Sequence, residues 1–184
     1  LDQLELFLIT LRKDFPDLQI KILDIGGGTP VSYSNDVPSS DNFGRIISKK
    51  INEFADSIGN DFTLIVESGR FLTAESCILI SKIVNSKSLV DKKFLIVDSG
   101  YHLLLDSALI NHEYPIHLIS DSKTLNSKNL NFRWMDKYQK VHVVGRLCDS
   151  LDEFHVSEAK KFSAAYVKDL IVFHKVGAYS IVFN

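Results

Sequence analysis

Cysteine is almost missing from this sequence: Cys77 and Cys148 are the two in 184 residues. Two cysteines are too few for a disulfide framework, so a reduced, cytoplasmic setting is expected. An excess of one charge is missing too. Lys plus Arg number 21 against 23 Asp plus Glu, a formal charge of -2. That balance argues against a protein whose main task is to neutralise nucleic-acid phosphates. No apolar run approaches the roughly 20 residues that span a bilayer, and no membrane role is expected. The start, Leu1-Asp2-Gln3-Leu4-Glu5, has neither an initiator Met nor a basic n-region. It reads as a chain entered in the middle, not as a signal peptide. The six histidines, at 102, 112, 117, 142, 155 and 174, show no repeated ligand spacing, so no metal site is expected. What is present is 45% hydrophobic and 24% charged, a globular balance.

Along the chain, Leu1, Leu4, Phe7, Leu8 and Leu11 recur at helical spacing, with acidic residues early and Arg12 and Lys13 late. This predicts an amphipathic helix over 1–14, ended by Phe15-Pro16. Leu18 to Ile25 reads as a strand buried on both faces, followed at once by Gly26-Gly27-Gly28. A polar loop leads to Ser40 or Asp41, either of which can cap a helix whose buried stripe is Ile47, Ile51, Phe54 and Ile58. Thr63 to Val66 is a second buried strand, closed by Glu67-Ser68-Gly69-Arg70. The order α-β-α-β is the rhythm of a parallel barrel or open sheet.

After residue 76 the rhythm changes. Cys77–Val84, Phe94–Asp98, Ile116–Ile119, Val141–Leu147, Leu170–Phe173 and Ala178–Phe183 are short strand candidates with no long helix needed between them. A second, mainly antiparallel β domain is expected, with the boundary between Arg70 and Leu89. Ser120 to Asn131 reads as a polar surface loop.

Three consecutive glycines after a buried strand need a reason, because each loses much backbone entropy on folding. One reading of Gly26, Gly27 and Gly28 is a backbone cradle for a phosphate; the other is a tight βα turn with no ligand. Glu67-Ser68-Gly69-Arg70 ends the next strand, so in a parallel barrel it sits on the same rim. Arg70 offers a permanent fork of donors to a phosphate, and Gly69 lets the backbone come close. Glu67 repels a phosphate and wants a cation, either Arg70 itself or a protonated ring nitrogen of a ligand. Phosphate at one end and a basic nitrogen at the other describes pyridoxal phosphate.

Four segments stand in order: Leu23-Asp24-Ile25-Gly26-Gly27-Gly28-Thr29-Pro30, Glu67-Ser68-Gly69-Arg70-Phe71, Leu147-Cys148-Asp149-Ser150-Leu151-Asp152 and Gly177-Ala178-Tyr179. With them the chain resembles the C-terminal half of the fold-type III pyridoxal-phosphate decarboxylases, the ornithine and diaminopimelate decarboxylase superfamily. The resemblance implies an α/β plus β fold. Residues 1–80 would be the last βα units of an alanine-racemase-like (β/α)8 barrel, and 81–184 a C-terminal β-sandwich or β-barrel domain. It implies that Gly26, Gly27, Gly28, Gly69, Arg70 and the Tyr179 hydroxyl bind the cofactor phosphate. Glu67 would keep the pyridinium nitrogen protonated. Cys148 would reach into the partner subunit's site and protonate the product-side carbanion, with Asp149 contacting the substrate's distal end. The enzyme would therefore be a head-to-tail homodimer acting on a small amino acid. Cys77, in an apolar run, is read as structural.

Departures from the family matter as much. The usual proline between Glu67 and Gly69 is Ser68, expected to change turn stiffness mildly. In the diaminopimelate enzymes an arginine and a tyrosine grip the far carboxylate, and by ungapped alignment those places hold Asp106 and Ile110. With Asp149 as a second acid, the expected substrate is a basic or diamino amino acid. No lysine stands in the context of the family's Schiff-base lysine; Lys21 and Lys50 read as exterior charges. The chain thus reads as a C-terminal fragment, inactive alone. The alternatives are a racemase of related barrel type, a catalytically inactive regulatory homologue, and a decarboxylase of a carrier-protein-linked amino acid.

Overall fold

The structure, a computed structural model, describes residues 1–33, 35–59, 61–89, 92–119, 140–158, 165 and 167–180. It divides into two compact units. One comprises Leu1–Val31 and Asp36–Phe71, the other Ser32–Asn35 and Leu72–Asn184.

The first unit alternates helix and strand: α1 (Asp2–Asp14), β1 (Ile22–Asp24), α2 (Ser40–Ile58) and β2 (Thr63–Ile65). Asp2 and Glu5 lie in the first turn of α1 and Arg12 and Lys13 in its last, matching the helix dipole. Arg12 also donates from Nη1 to the Ile58 carbonyl at 2.8 Å, a cation on the bare C-terminal carbonyls of α2. The cap of α2 is neither Ser40 nor Asp41 but Ser39, whose Oγ accepts from the Asn42 amide at 3.2 Å. The helix already begins at Ser40, so the side chain one residue earlier is the one placed to meet the third amide inside. Gly59 closes α2 in the left-handed region, at φ 66°. Leu8, Leu23, Ile51, Phe54 and Ile58 form this unit's core, so the stripe predicted for α2 is the buried one.

The strands of this unit are shorter than Leu18–Ile25 and Thr63–Val66 and are not buried on both faces. β1 buries Leu23 alone, and all three residues of β2 are exposed. The reason is that β1 and β2 form a two-stranded parallel ribbon among the described residues, with helices to cover one side of β1.

In the second unit six strands form one sheet: β3 (Leu79–Ser88), β4 (Lys92–Val97), β5 (Ile116–Ile119), β6 (Lys140–Val144), β7 (Glu153–Glu158) and β8 (Leu170–Phe173). Their order is β5-β8-β3-β4-β6-β7. Every pairing is antiparallel except that of β4 with β6. A short helix α3 (Gly69–Thr73) precedes the sheet, and α4 (Leu105–Ile110) lies between β4 and β5. Alternate residues face the core, as a pleated strand requires. Leu95 and Val97 of β4 and Val141 and Val143 of β6 are all fully buried, and Leu95 stands directly opposite Val143. Phe173 likewise stands opposite Ile116 and packs edge-on against Phe154.

Strand β7 was not expected from the sequence; Cys77–Val84 and Phe94–Asp98 occur with shifted bounds as β3 and β4, and two further expected strands differ more. Val141–Leu147 stops at Val144, because Gly145 and its successors turn back to meet β7. Ala178–Ser180, the described part of Ala178–Phe183, is not strand; Tyr179 takes a left-handed φ of 53° there, which no strand tolerates. The Ser120–Asn131 loop and residues 181–183 lie outside the described residues. No described helix is long and apolar enough to cross a membrane.

Candidate active site

The predicted site residues fall into the two units: Gly26, Gly27, Gly28, Glu67, Gly69 and Arg70 in the first, Cys148, Asp149 and Tyr179 in the second.

Parallel pairing levels the ends of β1 and β2. Leu23 stands opposite Leu64 and Asp24 opposite Ile65. The chain therefore leaves both strands on one edge, and the hydrogen bonding runs on past them: the Ile25 amide donates to Ile65 O at 3.1 Å and the Glu67 amide to Gly26 O at 2.8 Å. The triglycine and Glu67 are thus held side by side. Gly26 and Gly28 have φ of 69° and 87°, which favours glycine, and a Cβ on Gly27 would overlap the Glu67 carbonyl. The Asp24 carboxylate accepts from the Gly26 amide at 2.8 Å.

Ser68 does more than alter stiffness. Its hydroxyl is hydrogen-bonded to that of Thr29, tying the loop after β1 to the loop after β2. A proline could not make this bond. Neither residue was singled out for it beforehand; the signal was a hydroxyl in the place of the family's proline. The Gly69 amide donates to Glu67 O at 2.9 Å. The Glu67 side chain is exposed and pairs with no cation among the described residues, so the Arg70 alternative for it is not the one observed. Lys21 is exposed, and Lys50 is an exposed partner of Glu53 at 3.3 Å.

In the second unit, Cys148 and Asp149 are exposed on the connection between β6 and β7. The Leu151 amide donates to Asp149 Oδ1 at 2.9 Å, and the Tyr101 hydroxyl lies 3.4 Å from Oδ2. Asp106 is buried, whereas Ile110 is 62% exposed. Cys77 is half-buried against the main core, accepting from Ser76 Oγ at 3.6 Å.

Tyr179 follows a tightly tied segment. The Val176 amide donates to Cys77 O at 3.1 Å and the Gly177 amide to Ala74 O at 2.9 Å. A Cβ on Gly177 would overlap the Thr73 carbonyl, Ala178 is buried, and the Ser180 hydroxyl donates to Val176 O. Tyr179 itself is 45% exposed. The Gly-Ala-Tyr run thus fastens the last described turn to the segment just after α3. Among the described residues, no group of three or more His, Cys, Asp or Glu could hold a metal ion.

Comparisons with known proteins carry the chemistry further. Residues 17–177 match the family model of the pyridoxal-dependent decarboxylase C-terminal sheet domain. The chain is 34% identical over 172 residues to the diaminopimelate decarboxylase of Buchnera aphidicola subsp. Acyrthosiphon pisum, covering 88% of this chain and 39% of that protein. The crystal structure of the Helicobacter pylori diaminopimelate decarboxylase complexed with L-lysine superposes with a TM-score of 0.67 at 27% identity, over 97% of this chain and 39% of that one. That of the M. jannaschii enzyme in co-complex with L-lysine gives 0.73 at 22% identity, over 96% and 37%, a likeness of fold. The chain spans about two fifths of the length of the curated relatives it matches. With a family match over most of its length and the same sheet in the solved structures, this chain belongs to the pyridoxal-dependent decarboxylases and carries their C-terminal sheet domain.

Proposed function

We propose that this chain is the C-terminal part of a pyridoxal-phosphate-dependent decarboxylase that acts on a diamino acid. The first unit contributes the end of a (β/α)8 barrel and the second the C-terminal β domain. The whole enzyme is a cytoplasmic homodimer with shared active sites. One observation carries the reading: the levelled ends of β1 and β2 hold three glycines beside Glu67, an exposed carboxylate with no cationic partner among the described residues.

The residues present fit the cofactor. Gly27 is closed against the Glu67 carbonyl, whereas nothing lies within 4 Å of the Cβ positions of Gly26 and Gly28, so bare backbone faces open space there. Gly26, Gly27, Gly28, Gly69, Arg70 and Tyr179 would bind its phosphate. When bound, pyridoxal phosphate supplies an electron sink for the bond to departing carbon dioxide. Glu67 holds a proton at the ring nitrogen, because a carboxylate beside a basic nitrogen favours the charged form. Cys148 delivers a proton to the carbon that loses the carboxylate, and Asp149 orients the substrate's distal end.

The relatives named above are diaminopimelate decarboxylases, which makes diaminopimelate the first substrate to test. A second reading, a substrate with a distal amine and no distal carboxylate, is favoured by Asp106 and Ile110 in the places of the carboxylate-gripping pair, and by the acidic Asp149. Release of carbon dioxide by the full-length protein from diaminopimelate, lysine and ornithine separates the two. Turnover of any of them, lost in Glu67→Gln, supports the decarboxylase. No release from any of the three, with no cofactor absorbance, overturns it.

A further inference from the structure

We infer that Asp152 is a positioning residue for Cys148 and Asp149, its buried carboxylate holding their loop in one conformation. The inference rests on the roles given to those two residues above.

Eight residues, 145–152, connect β6 to β7 and carry both side chains at their exposed middle. An exposed loop of this length has few apolar contacts to fix it, so its shape must come from hydrogen bonds. They converge on Asp152, which is 3% exposed. Its Oδ2 accepts from the Leu147 amide at 2.7 Å, the residue next to Cys148. Its Oδ1 accepts from the Tyr101 amide at 2.7 Å, and the hydroxyl of Tyr101 is the one facing Asp149. Its backbone closes the loop at both levels: the Gly145 amide donates to Asp152 O at 2.9 Å, and the Asp152 amide to Asp149 O at 3.1 Å.

Gly145 makes room for this arrangement, since a Cβ there would overlap the Asp152 carboxylate. Both oxygens point inward to backbone amides, so Asp152 does not meet the substrate and is no catalytic residue. The arrangement requires aspartate. Asparagine has the same shape but one acceptor, and its NH2 group would face an N–H donor. Loosening Leu147 moves Cys148, and a displacement of about 1 Å at a reacting group is enough to cost about 100-fold in rate.

The test uses the full-length enzyme and its best substrate in deuterium oxide. Asp152→Asn should lower kcat by about 10- to 100-fold while cofactor absorbance stays that of the wild type. Deuterium should then enter both faces of the product carbon instead of one. Gly145→Ala should do the same, and the double variant should be no worse than either single, because both remove one interaction. Unchanged kcat and stereochemistry in Asp152→Asn overturn the proposal, as does a loss of kcat that only follows loss of cofactor or fold.

Cys148→Ser is the control for the underlying reading. If it leaves rate and stereochemistry intact, the role given to Cys148 fails, and the brace is judged by amide exchange alone. In the wild-type enzyme the Leu147 and Tyr101 amides should exchange at least about 100-fold slower than that of Ser150. Equal exchange overturns the brace without any variant having to fold.

Discussion

At the scale of single residues, three glycines are set by what stands against them and not by turn propensity. Gly27, Gly145 and Gly177 each face a polar group that a methyl would overlap: the Glu67 carbonyl, the Asp152 carboxylate and the Thr73 carbonyl. Gly27→Ala should therefore push the two loops apart, weaken pyridoxal phosphate binding and destabilise by about 1–3 kcal/mol, the usual cost of overpacking. Cofactor titration and thermal unfolding of the full-length enzyme measure both effects; wild-type affinity would show that the cradle reading is wrong. The three glycines in a row were visible in the sequence as a feature in need of a cause. The contacts behind Gly27 and Gly177 were not, because Glu67 lies 40 residues from Gly27 and Thr73 over 100 from Gly177. Asp152 was visible as the end of a motif, but its four backbone contacts, one of them to the distant Tyr101, were not.

At the scale of elements, amphipathic helices were legible and short strands less so. α2 announced its stripe at helical spacing, and Ile51, Phe54 and Ile58 are buried as that pattern requires. Its cap is a local contact worth about 1 kcal/mol, so Ser39→Ala should cost about that much and lower the melting temperature of the full-length protein by a few degrees. A strand, by contrast, is stable only with its neighbours. β7 was missed because its partner β6 makes it a strand, not its own composition. Phe173, fully buried on β8, should cost about 3–5 kcal/mol when replaced by Ala in a denaturant titration. Lys93 on β4 adds a pH dependence. Burial lowers its pKa below 10.5 while Asp169 works the other way, and its Nζ donates to Ala165 O at 2.9 Å. With the folded pKa below the unfolded one, the unfolded chain binds more protons between the two. Stability from this group therefore rises with pH from the folded value up to 10.5. Lys93→Met should flatten that rise in melting curves at alkaline pH; an unchanged slope would assign it to other groups.

At the scale of the whole molecule, the proposed shared site makes a quantitative prediction about assembly. Glu67 and Cys148 would act in one site from different subunits. Mixing inactive full-length Glu67→Gln and Cys148→Ala homodimers and letting subunits exchange should recover about a quarter of wild-type activity. Half of the dimers are then mixed, and each mixed dimer has one intact site of two. No recovery after proven exchange would place both residues in the same subunit's site. The sequence by itself determined the broad class, the helix faces and the four motifs that mark the family, because these are local patterns of side-chain type along the chain. Only the tertiary structure decided which groups those motifs meet. Strand register levels the triglycine with Glu67, a hydroxyl pair replaces the missing proline, and a buried aspartate gathers the loop of Cys148. The first two depend on distances between residues about 40 apart in the chain and the third on a loop folded back on itself and tied to Tyr101, all set by hydrogen bonding and packing that residue order does not display.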